Sequence, residues 1–292
     1  MMFCKWVLRK SAVATTLALA GWLGLACSAG AGTVVMVDYG VAGQTVQSGW
    51  IGGSGGDADI QHPMSSLSPN PNTVSTAYGD VTYEITRGPN EPNDNLDIEY
   101  RNRSGAYDGG SASYVHPTFG QIGHVIQDEI KLDGGRALNG GATRNATHQI
   151  VLSGMNAGNY ELTTFHHSRL GGFVYDWSEF DLKLQVGAGN GYTTVASNLS
   201  VTSDYEDGNA NVSSITEHTT PFAVAGPGTQ VSLHIATQPS TADGTGSVGS
   251  MKGQDEVPLN GFALVQIPEP ASGTLVMLTL VGFLCSRYRR LN

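Results

Sequence analysis

The chain has 292 residues, 40% of them hydrophobic and 14% charged, with a formal net charge of −10. All 25 acidic residues fall between positions 32 and 270, against nine of the 15 basic ones, so that stretch carries −16. A body this acidic repels phosphate backbones, which excludes nucleic acid as a partner. Cys4, Cys27 and Cys285 all lie outside it, so it holds neither an internal disulfide nor a thiolate metal site, and its core has to stand without covalent staples.

In chain order, residues 1–31 read as a signal peptide. Lys5, Arg9 and Lys10 form a positive segment, 12–26 is mostly apolar, and Ala29-Gly30-Ala31 supplies small residues for signal peptidase. An uncleaved N-terminal helix is the other reading. "GLAC" up to Cys27 resembles a lipobox, although Gly24 stands where a larger aliphatic belongs.

The body, 32–266, shows short alternating runs and no sustained 3.6-residue period. "TVVMVDYG" (33–40) is a strand entering a turn, and "GGSGG" (52–56) reads as a flexible loop. "DVTYEITRG" (80–88) alternates Val81, Tyr83 and Ile85 against Thr82, Glu84 and Thr86. Segment 120–132 fits a short helix or a strand, and both stay open. "HQIVLSGM" (148–155) and "GNYELTTFHH" (158–167) flank "NAG", a tight turn between antiparallel strands. "SEFDLKLQVGAG" (178–189) alternates Phe180, Leu182, Leu184 and Val186 against Asp181, Lys183 and Gln185. Strands follow at 191–197, 220–226, 229–237 and 260–267. Eight or nine strands with one polar and one apolar face predict an all-β fold, an antiparallel β-sandwich of jelly-roll type. The first and last strands are expected to pair in one sheet.

Few motifs for chemistry are present. There is no HExxH, no GxSxG elbow and no phosphate loop, so the body reads as non-enzymatic and no residue is assigned a catalytic role. The acid pairs Asp97/Glu99, Asp128/Glu129 and Asp176/Glu179 keep a glycosidase reading open, because sequence spacing does not report carboxylate separation. "SDYEDGNANV" (203–212) offers Asp204, Glu206, Asp207 and Asn209 as hard oxygen ligands for calcium; an Asx-rich turn is the alternative. His166 and His167, adjacent in a strand, point to opposite faces, one semi-buried and one at the surface. The densest aromatic cluster is "GGFVYDW", where Phe173, Tyr175, Asp176 and Trp177, with His166, make a candidate sugar site. There rings stack on sugar C–H groups while polar side chains bond hydroxyls. Trp50, Tyr107 and Tyr114 are further loop aromatics.

Residues 267–292 close the chain. Ala271 to Ser286 is an uncharged apolar run, about 24 Å long as a helix, somewhat short for a bilayer core. Arg287, Arg289 and Arg290 follow it, which places that end on the cytoplasmic side and the body outside. Pro268-Glu269-Pro270, the apolar helix and the arginine cluster together resemble the PEP-CTERM sorting signal. That resemblance covers about 26 residues. It implies export, a transient inner-membrane anchor, and processing at the motif by an exosortase in bacteria that make extracellular polysaccharide. Permanent anchorage is the alternative.

"VDYG…QSGW" (37–50), the hairpin "LSGMNAGNYELTTFHH" and the closing "LNGFALVQIPEP" resemble the galactose-binding or malectin-like jelly rolls. This resemblance implies a carbohydrate-binding or adhesive module. The combined expectation is an exported surface or matrix protein whose sandwich binds polysaccharide. A structural matrix protein without a specific ligand, and a polysaccharide hydrolase or lyase, are the alternatives.

Overall fold

The computed structural model describes residues 32–40, 43, 45–54, 61–63, 67–87, 97–102, 115–126, 128–133, 147–167, 179–201, 215–237 and 256–268. Among them there is no helix. The strands are β1 (Gly32–Gly40), β2 (Ile51–Ser54), β3 (Gln61–Pro63), β4 (Asn72–Thr76), β5 (Gly79–Arg87) and β6 (Asp97–Asn102). Next come β7 (Val115–His116), β8 (Gly120–Gln121), β9 (Asp128–Asp133), β10 (Thr147–Ser153), β11 (Gly158–His166) and β12 (Phe180–Val186). The last five are β13 (Thr193–Leu199), β14 (Thr216–Val224), β15 (Val231–Thr237), β16 (Glu256–Leu259) and β17 (Gly261–Ile267). Residues Thr33–Val265 make one compact unit.

Two sheets face each other. One runs β14-β11-β17-β1-β2 and the other β13-β12-β15-β10-β5-β4. As expected from the sequence, the first and last strands of the body are neighbours. Alternation decides which side chains turn inward. Val37, Tyr39, Tyr160, Leu162, Phe222, Phe262 and Leu264 from the first sheet meet Val81, Tyr83, Ile85, Ile150, Leu152, Leu182, Leu233 and Ile235 from the second. Rings interlock at the centre, with Phe262 edge-on to Tyr83 at 5.5 Å and tilted to Tyr39 at 6.1 Å. A four-stranded sheet, β16-β9-β6-β3, adds Ile130, Val257 and Leu259 to this core.

The first sheet also buries its outer face. Trp50, Ile122, Val125, Ile126, Phe165 and Ala263 form a second, smaller core. Segments 45–50 and 115–126 lie over it, the latter fastened by His116, whose Nε2–H donates to Glu217 Oε2 at 2.7 Å. Its Nδ1 accepts from the backbone N–H groups of Thr118 and Phe119. Segment 120–132, which the sequence left between helix and strand, is a turn at residues 123–126 set between β8 and β9.

Residues 52–54 of the expected flexible loop belong instead to β2, a parallel partner of β1, while 55 and 56 lie outside the described residues. A Cβ on Gly53 would come within 2.6 Å of the Tyr39 ring, and one on Gly52 within 2.6 Å of Val46. Glycine therefore serves close packing here.

The two ends of the sandwich differ. At one end, short connections join β4 to β5, β10 to β11, β12 to β13 and β14 to β15. These turns bond one another: Gly154 N–H to Pro227 O (3.2 Å), Asn156 N–H to Tyr78 O (2.9 Å) and Gly187 N–H to Gln230 O (2.7 Å). The strands on either side of residues 168–178 and 202–214 end and begin at the opposite end. The registers place His166 beside Thr216, and Phe180 beside both Leu199 and Thr237.

The outermost strands are interrupted. β14 carries Pro221 opposite Glu161, and β13 slips register against β12 and has Asn198 at φ 56°. β2 has four residues and β4 five. Before β4, Asn70 substitutes for a strand partner: its side chain donates to Ile85 O and accepts from Ile85 N–H.

Candidate functional site

The predicted loop site is reached only at its border. Phe173, Tyr175, Asp176 and Trp177 lie outside the described residues, as do Asp204, Glu206, Asp207 and Asn209. So do Glu269, Pro270, Arg287, Arg289 and Arg290, while Pro268, half-buried, follows the end of β17. Segment 271–286 is outside as well. Among the described residues no helix is long and apolar enough to cross a membrane. Among them, too, no group of three or more His, Cys, Asp or Glu is placed to hold a metal ion.

His166 is described, and it is a core residue. It has no solvent exposure, and its ring lies 4.5 Å from that of Phe180 across the sandwich. Its Nδ1–H donates to Pro258 O at 2.8 Å, and its Nε2 faces Thr164 Oγ1 at 2.9 Å, where it accepts. Burial holds the imidazole down to about pKa 4 against the opposing Pro258 carbonyl, so it is neutral at physiological pH. A histidine with both nitrogens engaged offers nothing to a ligand, and the candidate site loses it. His167 is buried too, although the sequence puts one of the pair at the surface. Its backbone is tied to Asn260, which joins β16 to β17. The Asn260 side-chain oxygen accepts from His167 N–H at 2.6 Å, its N–H donates to Phe165 O, and its carbonyl accepts from Tyr39 N–H. Trp50 also leaves the set of loop aromatics: it is 8% exposed and packs on Phe165 and Phe119.

A different constellation stands on the outer face of the six-stranded sheet. Register aligns Thr194, Lys183, His234, Gln149 and Thr86 as one residue from each of five successive strands. The neighbouring row holds Gln185, Ser232, Val151 and Glu84. Each of these positions alternates with a core residue on its own strand, so all turn away from the core.

Tyr192, just before β13, lies over the middle of this face. Its hydroxyl donates to Gln149 Oε1 at 2.8 Å, on the third strand over from β13. Its ring stands edge-on to His234 at 5.5 Å. Burial raises the pKa of this phenol, opposed by a hydrogen bond with Ser232. Beneath the ring His234 is only 8% exposed, and its Nε2 has no hydrogen-bond partner among the described residues. Burial, and then the charge of Lys183, hold its pKa down to about 4, so this imidazole is uncharged as well. The face thus presents amide, hydroxyl, ammonium and neutral imidazole groups around one aromatic ring.

Asp181, Lys183 and Gln185 are on the polar side of their strand as the sequence predicts. Tyr192, His234 and Gln149 are the residues that sequence reading passed over. The signal for two of them was available. Val231, Leu233 and Ile235 alternate with Ser232 and His234, and Ile150 and Leu152 alternate with Gln149 and Val151.

No protein-family model matches the chain, and neither does any curated protein. Among solved structures, the C-terminal CBM6 of LamC, a marine laminarinase from Zobellia galactanivorans, is similar at 11% identity and a TM-score of 0.24, over 48% of this chain and 80% of that one. A CBM35 from Paenibacillus barcinonensis matches at 14% identity and 0.26, over 62% and 91%. The K1 cleaved adhesin domain of Lys-gingipain from Porphyromonas gingivalis W83 matches at 9% and 0.31, over 70% and 96%. Likeness this loose assigns no activity to the chain.

Proposed function

We propose that this is an exported protein, sorted through its PEP-CTERM tail by an exosortase, whose sandwich binds extracellular polysaccharide at the cell surface or in the matrix. The observation that carries the binding reading is the outer face of the six-stranded sheet. There Tyr192 lies over a row of five aligned polar residues, bonded to Gln149 and edge-on to His234. Sugars ask for this combination, since their C–H faces pack on rings and their hydroxyls both donate and accept. Phe173, Tyr175, Asp176 and Trp177 are proposed as further contacts. Asp204, Glu206, Asp207 and Asn209 are proposed as a calcium site that steadies the chain near them.

A glycan array probed with the full-length chain, with and without a chelator, tests this. Binding to at least one polysaccharide is expected, with a ligand-dependent rise in Tm that follows mass action. The chelator should weaken binding if calcium is part of the site. A chain that retains no glycan on the array and shows no ligand-dependent Tm shift leaves the structural-matrix reading. Release of reducing or unsaturated ends from a glycan shows a hydrolase or lyase instead.

A further inference from the structure

We infer that the outer face of the six-stranded sheet takes an uncharged, linear polysaccharide laid across the strands, along Thr194, Lys183, His234, Gln149 and Thr86. This deepens the polysaccharide reading and rests on it. Geometry sets the direction. Side chains that share this face stand about 7 Å apart along a strand but about 4.8 Å apart across strands, so the closest-spaced line of polar groups runs across them. Five strands at the usual spacing make it roughly 19 Å long, the length of a short oligosaccharide. Tyr192 stands over its middle, so a sugar packed on that ring would have Gln149 on one side and Lys183 on the other.

Charge sets the class. Lys183 is the single cation of the row, and Asp181 and Glu84 share its face. His234 adds no positive charge at physiological pH. The 32–270 stretch as a whole carries −16, so a uronate or sulfated chain would approach against repulsion. His234 lies sealed beneath the Tyr192 ring, so a sugar packed on that ring sits above it and takes its polar contacts from Gln149 and Lys183 on either side.

Affinity electrophoresis of the purified full-length chain tests the inference. The gels contain hydroxyethylcellulose, laminarin, galactan or xylan on the neutral side, and alginate or polygalacturonate on the acidic side. Retardation by at least one neutral polymer and by neither uronate is expected. Tyr192→Ala and Gln149→Ala should weaken the neutral interaction by about tenfold or more, the range for losing a ring or a paired polar contact. Tyr192→Phe, which keeps the ring, should bind within about threefold of wild type, and circular dichroism melts identify any variant that fails to fold. Binding to uronates alone overturns the inference. So does loss on Trp177→Ala with the Tyr192 and Gln149 variants unaffected, although that result keeps the polysaccharide reading. Retention by no polymer removes both.

Discussion

Asp38 shows what one misplaced charge would cost this fold. It sits on the outer face of β1 without solvent exposure; Oδ2 accepts from Gln47 N–H at 2.8 Å, and Oδ1 has no partner among the described residues. Gln47 in turn accepts His124 N–H on its side-chain oxygen, so the carboxyl helps hold both segments that cover the second core. Burial pushes its pKa up to about 7, against the Gln47 bond, from 3.8. Between those values the folded chain keeps a proton that the unfolded chain has lost. Stability from this group is therefore full below pH 4 and falls as pH rises toward 7, by roughly 4 kcal/mol at most. Urea unfolding at about pH 5 and about pH 8 should show the loss, and Asp38→Asn should flatten it. Equal slopes for the two proteins would place the proton elsewhere. Nothing in "VMVDYG" announces this, because the cover comes from residues around 47 and 124. His166 teaches the same lesson: its partner Pro258 is 92 positions away.

Strands were legible where alternation was long. β5, β12 and β15 each carry at least three inward apolar or aromatic residues in period two, β10 and β11 two each, and sequence alone placed them within about three residues. The strands it missed lack that signature. β2 is half glycine, β4 follows two prolines, β16 contains Pro258, and β7 and β8 have two residues each. Their pairing comes from partners far along the chain, which a local pattern does not contain. The turns between strands carry their own demands. Gly154 adopts φ +80°, and a Cβ there would sit 2.0 Å from Asp80 O. Gly154→Ala should cost about 3 kcal/mol through the left-handed backbone and the backbone collision together. A shift in the urea midpoint at unchanged slope would register it, and an unchanged midpoint would mean that the turns move apart freely. The polar row on the six-stranded sheet was half legible. Its residues alternate visibly, but their alignment across five strands is a matter of register, which sequence does not state.

For the molecule as a whole, the order of parts follows from where strands begin and end. β1 starts and β17 finishes at the end with the short turns, away from the strand ends that flank 168–178 and 202–214. β17 is complete at Ile267, one residue before the Pro-Glu-Pro motif, so trimming there removes no part of a strand. On the proposed sorting, mass spectrometry of the mature protein should find its C-terminus near positions 268–270; a terminus retaining Arg290 would contradict processing. The interrupted outer strands have their own consequence. Among the described residues, Pro221, the slipped register of β13 and the brevity of β2 and β4 blunt the edges of the two facing sheets against continued hydrogen bonding by another copy. Copies crowded together in solution are accordingly expected to stay apart instead of extending one another's sheets, and light scattering of a concentrated sample that grew steadily with time would contradict this.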